Sequence, residues 1–267
     1  MRPLTDLLRA HSLPTSQGGK DDKGTLVIVG GPAECPGGAL LAGEAALRAG
    51  AGRVQLVVHP AIASAVAVAM PEAWVVGWDV EAEPTDAVLE QVGGADAVLI
   101  GPGHRSGADR AALALAPGLG STPLVLDAGA LSASARLAGQ TELVLAPNEA
   151  EAAQLTGSDP DDGAEALAVR LADQLGHAVA VRGRRSAIVD RDGDGWCYES
   201  RATGLGTPGS GDVLVGVLGA LLARRVAPAA ALGWAVGVHG RAGELLTRRV
   251  PAGFLAREVA GEVPAAL

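Results

Sequence analysis

The chain has 267 residues, 48% hydrophobic and 19% charged, with a formal net charge of −9. This composition describes a globular chain and excludes a disordered one, and the length suits one large α/β domain or two small ones. The negative charge argues against non-specific nucleic-acid binding as the main role, although a local nest of amides can still hold a small anion on an acidic protein. Cys35 and Cys197 stand far apart without CxxC or histidine spacing, so neither a disulfide framework nor a zinc site is expected. The opening "MRPLTDLLRAHSLPTS" lacks an apolar signal core. The most apolar run, Ala61–Met70, is too short to span a membrane. The expectation is a cytoplasmic protein with no membrane and no nucleic-acid partner.

In chain order, residues 1–23 read as a loose lead-in with room for a short helix at 4–9. Strands are expected at 25–31, 54–59, 97–101, 123–128, 142–147 and 178–183. These runs are β-branched and apolar throughout rather than alternating, which suits parallel strands covered on both faces. Helices are expected between them at 39–49, 86–92, 109–115, 130–138, 149–155 and 164–175. Beyond Arg182, "SAIVDRDGDGWCYES" reads as a hairpin turning at "DGDG", and helical patterns dominate from Asp212 onward. With no internal repeat and no Pro/Ser-rich linker, residues 1–267 read as one α/β domain. It would be a three-layer α/β/α sandwich around a mainly parallel sheet.

Open parallel sheets bind ligands beyond the carboxyl ends of their strands. Here those ends read "GGPAECPGG", "GPGHRSG", "DAGA", "PNEAE" and "RGRRS", each glycine-rich or polar. The stretch "GLGTPGSGD", residues 204–212, then opens the run "VLVGVLGALLA", which is apolar on nearly every face and so reads as a buried central helix. A helix N-terminus offers unpaired N–H groups and the positive end of a dipole, and glycines let those amides approach a ligand. Together they form an anion site, most often for phosphate. The bland alternative is a flexible turn with Asp212 as a helix cap. No GxxxxGK[ST] loop is present. "GLGTPG" matches G-x-G-x-x-G only by accident, because it falls late in the chain and no acid follows at the ribose distance.

A G-[TS]-G-D loop opening a buried helix without that lysine resembles the ribokinase-like superfamily. There the glycines form an anion hole and the aspartate deprotonates a hydroxyl that attacks a phosphoryl donor. "PNEAE", residues 147–151, resembles that superfamily's N-x-x-E element, which implies Mg²⁺ organised by Glu151 through water. The chemistry is coherent, since phosphoryl transfer needs positioning, charge neutralisation and a base within reach of the nucleophile.

Five segments in order narrow the resemblance to the ADP/ATP-dependent NAD(P)H-hydrate dehydratases. They are "KGTLVIVGG…CPGGALLAGEAALRAGAGRVQLVV", "GPG" at 101–103, "VLDAGAL" at 125–131, "LAPNEAEAAQLTG" at 145–157 and "GSGDVLVGVLGALLA" at 209–223. The resemblance covers residues 23–248. It implies repair of hydrated NADH or NADPH of the S-epimer: ADP or ATP phosphorylates the ring hydroxyl, and loss of phosphate restores the cofactor. It implies Asp212 as base, with Gly209, Ser210 and Gly211 as the anion hole. It places Gly38, Ala39, Gly103, Asn148 and Asp212 against the hydrated dinucleotide. It places Arg182, Gly183, Arg184, Arg185, Ser186 and Gly211 against ADP or ATP. The three arginines would offset phosphate charge, unless they are simply a solvated strand edge.

The chain departs from the family pattern at four positions. Asn148 stands where a histidine is common, Gly129 where a second aspartate is common, Arg182 where a lysine is common and Gly38 where alanine is common. Asp127 reads equally as a site residue or as a helix cap. Trp74, Trp78 and Trp234 read as packing, and His59, His104, His177 and His239 have no assigned role. Family members form symmetric homo-oligomers, tetramers among them. The companion epimerase domain has no counterpart in 267 residues, so the expectation is one epimer only. The competing readings are a kinase of a vitamin alcohol such as a hydroxymethylpyrimidine, favoured by "PNEAE", and a non-catalytic nucleotide-binding protein.

Overall fold

The apolar runs pair into one sheet. In the computed structural model, which describes residues 1–14 and 18–267, the order of elements is β1 (Arg2–Pro3), α1 (Leu4–Ala10), β2 (Thr25–Val29), α2 (Gly37–Arg48), β3 (Arg53–Val58), α3 (Ala63–Ala69), β4 (Trp74–Gly77), α4 (Asp86–Gly93), β5 (Ala97–Ile100), α5 (Ala108–Leu115), β6 (Leu124–Leu126), α6 (Ser134–Leu137), β7 (Leu143–Leu145), α7 (Glu149–Thr156), α8 (Gly163–Leu175), β8 (Val179–Val181), β9 (Arg185–Val189), β10 (Gly195–Glu199), α9 (Ser210–Ala223), α10 (Pro228–Arg249) and α11 (Ala256–Ala266). The ten strands lie in the order β1-β10-β9-β8-β7-β6-β5-β2-β3-β4. Strands β2 to β8 are mutually parallel, β9 runs antiparallel to β8, and β10 folds back antiparallel to β9.

Side-chain alternation along each strand divides the core into two layers. Leu26, Ile28, Leu99, Val125 and Val144 face one layer, with α2, α9, α10 and α11. Val27, Val29, Val98, Leu126 and Leu145 face the other, with α4, α5, α7 and α8. The expected three-layer architecture is therefore present. Helix α9 is its centre: every residue from Val213 to Ala223 is buried. A Cβ at Gly216 would lie 2.2 Å from the Ala42 carbonyl oxygen, so only glycine admits α2 this close. At the far end Arg224 donates to the carbonyls of Ala49 (2.9 Å) and Pro14 (2.8 Å).

Three features differ from the sequence reading. The lead-in begins with order: the short helix is there as α1, and Leu4 and Leu7 are buried against α10. Residues 15–17 of that lead-in lie outside the described residues. Helix α3 and strand β4 occupy a stretch that carried no assignment. Trp74, read as packing, begins edge strand β4 and is 69% exposed, as Val68 of α3 is at 84%, whereas Trp78 is buried.

Candidate active site

The carboxyl ends of β2, β5, β6, β7 and β8 converge on the first turn of α9. Gly209 precedes that helix in the left-handed region, at φ 86°, and the helix has no side-chain cap. The amides of its first turn consequently have no partner within the helix, and that of Ser210 donates instead to the Thr207 carbonyl at 3.2 Å. Asp212 lies in this turn, half-buried, and its Oδ1 accepts the Gly103 N–H at 3.2 Å. Burial first, and the neighbouring Asp127 second, push the Asp212 carboxyl up to about 6, while the Gly103 amide and the Arg182 guanidinium pull it down. The group is thus ionised at neutral pH yet far more basic than a solvated carboxylate. A capping role is excluded by position, since Asp212 sits inside the helix.

Gly38 and Gly103 fit together as a pair. A Cβ at Gly38 would stand 2.4 Å from the Gly103 nitrogen, and Gly103 itself holds φ 79°. Glycine at 38, where the family pattern has alanine, lets the loop after β5 lie directly on the first turn of α2. Ala39 is buried with its methyl in the core, so any contact it makes with a ligand is through its backbone.

Asp127 follows β6 and is 5% exposed. Its side chain does not cap the 3-10 turn at Ala128–Ala133; it faces Arg182, with Oδ1 3.9 Å from Nη2. Burial raises its carboxyl above the usual range, and Arg182 opposes that shift. The departure at Gly129 has a steric reason: a Cβ there would meet the Arg105 and Ser106 backbone at 3.0–3.1 Å.

Arg182 joins these parts. Its Nε donates to the Ala146 carbonyl, and its Nη2 lies 3.5 Å from Glu151 Oε2. The guanidinium also rests on α9, where a Cβ at Gly211 would come within 2.7 Å of Nη1. Three carboxylates are near this cation: Asp127 and Glu151 as ion pairs, and Asp212 through the field it exerts there. Asn148 and Glu151 form a reciprocal capping box on α7: Asn148 Oδ1 accepts the Glu151 N–H at 2.9 Å, and Glu151 Oε2 accepts the Asn148 N–H at 2.8 Å. One oxygen of Glu151 is thereby engaged.

A cavity of about 800 Å³ opens beside the anion loop, bounded by Asn148, Arg182, Gly183, Arg184, Ser186, Ser210, Gly211 and His239, with Leu205, Leu214 and Val236 as its apolar wall. Ser186 is buried, and its hydroxyl closes the turn back to Gly183 (3.2 Å). Arg184 is exposed at the rim, 3.8 Å from Glu199. Arg185 is not brought into the cavity: it pairs with Glu165 of α8 at 2.7 Å and with Cys197 Sγ at 3.2 Å, so the solvated-edge reading describes this arginine. A second cavity, about 950 Å³, lies on the other side of Glu151, floored by the loops after β5 and β6. A more apolar groove of about 870 Å³ between α2, α3 and the start of α11 reaches the loop only at Thr207 and Pro208 and contains none of these charged groups.

Sequence reasoning missed His239, whose Nε2 stands 2.7 Å from Ser210 Oγ. It also passed over the capping box that the spacing of "PNEAE" spells.

Known proteins resemble the chain along nearly its whole length. A family model described as NAD(P)H-hydrate dehydratase matches residues 26–265. An ADP-dependent (S)-NAD(P)H-hydrate dehydratase of Xanthomonas campestris is 41% identical over 97% of this chain and 93% of its own length. One of Bacillus subtilis is 29% identical over 85% and 83%. Among solved structures, an ADP/ATP-dependent NAD(P)H-hydrate dehydratase from Bacillus subtilis, co-crystallised with ATP and Mg²⁺, superposes with a TM-score of 0.82 at 26% identity, covering 97% of this chain and 94% of that one.

Proposed function

The chain belongs to the NAD(P)H-hydrate dehydratase family, and on that footing we propose that it converts the S-epimer of hydrated NADH or NADPH back to the working cofactor, with ADP or ATP as phosphoryl donor. The observation that carries this reading is Asp212, a base with its carboxyl held at about 6, in the first turn of an uncapped helix. Asp212 takes the proton of the ring hydroxyl as its oxygen attacks the terminal phosphoryl group. The Gly209, Ser210 and Gly211 amides donate to the oxygens of that group as charge builds on them. The nucleotide occupies the 800 Å³ cavity beside Arg182, Gly183, Arg184, Ser186 and Gly211. The hydrated dinucleotide approaches over Gly38, Ala39, Gly103 and Asn148. Loss of the new phosphate from the ring, followed by loss of a ring proton, restores the reduced nicotinamide.

Among the described residues no three His, Cys, Asp or Glu side chains cluster as metal ligands. That donor set suits Mg²⁺ arriving on nucleotide phosphates and keeping its waters, with the free oxygen of Glu151 touching it through one of them. When bound, the ion neutralises phosphate charge. We also read residues 1–267 as one domain acting in the cytoplasm, where the free thiols Cys35 and Cys197 persist. The exposed edge at β4, with Val68 and Trp74, suits a homo-oligomer. Among the described residues no helix is long and apolar enough to cross a membrane.

The test mixes purified protein with hydrated NADH, Mg²⁺ and ADP or ATP, and follows the absorbance of reduced nicotinamide. Recovery is expected, and the faster donor identifies the nucleotide preference. A flat trace together with a stable phosphorylated product from a hydroxymethylpyrimidine would replace this reading with the vitamin-alcohol kinase.

A further inference from the structure

The anion loop is built almost wholly of backbone, and Ser210 is the exception. Between Pro208 and Asp212 it alone carries a side chain, flanked by Gly209 and Gly211. Those glycines bring no side chain of their own to anchor the turn. Donors stabilise a transferring phosphoryl group only when their direction is fixed beforehand. Asp212 holds the turn from one side, through the bond its carboxylate accepts from the Gly103 N–H, but that carboxylate is also the proposed base and must change partner during the reaction.

The Ser210 hydroxyl is buried and does not cap its own helix. It is committed instead to another helix, through the 2.7 Å contact with Nε2 of His239 in α10. Burial first, and the Arg182 charge second, hold the His239 ring down at about 4, so at neutral pH it is an uncharged partner. Helix α10 is long, and its residues on both sides of His239, Val236, Val238, Gly240 and Ala242, are buried. His239 is therefore mounted on a rigid element.

We propose that His239 is a positioning residue for phosphoryl transfer: its hydrogen bond fixes the Ser210 side chain and, through it, the direction of the following Gly211 amide, the Ser210 amide being held already by the Thr207 carbonyl. This rests on the function proposed above and adds a residue that acts through another.

A double-mutant cycle tests it. His239→Ala and Ser210→Ala are each expected to lower kcat about 10- to 100-fold, with KM for ATP changed less than about threefold. The double variant should be no slower than the slower single one. His239→Gln, whose amide both donates and accepts, should recover kcat to within about threefold of the native protein, and should recover nothing in the Ser210→Ala background. Losses that multiply, an effect confined to KM, or a His239→Gln protein as slow as His239→Ala would overturn the proposal. Should His239→Ala not fold, His239→Gln in the two Ser210 backgrounds decides by the same criteria. The cycle is read a second time as affinity for ADP–aluminium fluoride, which needs no hydrated cofactor. If the native protein fails to restore NADH, the dehydratase reading falls, and the fluoride cycle still decides the role of His239.

Discussion

Two helices begin at the carboxyl edge of the sheet, and their first turns are furnished in opposite ways. Helix α7 is closed by its own side chains, Asn148 and Glu151 exchanging hydrogen bonds with the backbone. Helix α9 is left open: a left-handed glycine precedes it, no side chain caps it, and the acid in its first turn faces the site. Both helix ends carry the same dipole and the same free amides at the outset. A closed end is a structural joint, whereas an open end is a place for an anion. Arg182 spans the two, pairing with Glu151 on one side and lying over Gly211 on the other.

The comparison can be broken most severely at the open end. Asp212→Asn is expected to lower kcat about a thousandfold while the protein still binds ATP, measured by turnover and calorimetry. The same change should stabilise the fold at pH 8. The folded-state carboxyl is raised, so its ionised form is disfavoured relative to the unfolded chain above about pH 6, and this cost vanishes below about pH 4. The gain is on the order of 1–2 kcal/mol at pH 8 and nil at pH 4, read from denaturant melts. A variant with native turnover would remove Asp212 as the base.

Arg182→Ala attacks the bridge between the ends. It leaves Asp127 buried without its cation, and an expected loss of about 2–3 kcal/mol in stability accompanies a fall in turnover of at least about tenfold. Arg182→Lys should recover part of both, and equal damage from the two variants would assign the effect to the geometry of the guanidinium rather than to its charge.

A pH series sharpens the electrostatic side. In the native protein kcat/KM should fall as pH drops through about 6, as Asp212 takes up a proton. Arg182 favours the carboxylate, so in Arg182→Ala this acid limb should move to higher pH. A limb that stays in place would mean another group sets it. His239, held near 4, titrates too low to do so.

The smallest effect is expected at the closed end. Asn148→Ala should cost about 1 kcal/mol through loss of the α7 cap, and Asn148→Ser should retain most of it. Turnover that falls far more than stability would give Asn148 a ligand contact beyond its cap.

Much of this was legible before any coordinates. The strands at 25–29, 97–100, 124–126 and 143–145 stand where continuous apolar runs place them, because burial on both faces leaves no other pattern. The open end of α9 was legible for the same reason: a loop of glycines before an apolar helix has few uses other than holding an anion. What escaped had no local signal. Strand β4 was passed over because its apolar run, Trp74–Val76, is only three residues long, and Trp74 stands exposed where an aromatic residue suggests packing. His239 sits inside a helical pattern like any polar residue, and only the packing of α10 on α9 brings it to Ser210. Asp127 was undecided between cap and site because both uses call for an aspartate; that it faces Arg182, more than fifty residues away in sequence, has no local signal.

Helix α9 has no solvent-facing flank along which to slide: its length from Val213 to Ala223 is enclosed, and its last turn is followed by an arginine bound to two distant carbonyls. Its amides should therefore be among the slowest to exchange with deuterium, and Asp212 rides on them. Adjustment to a different donor or a different hydrated ring would then fall to the surrounding collar of loops, which can be rebuilt one at a time while the axle they turn about stays unchanged.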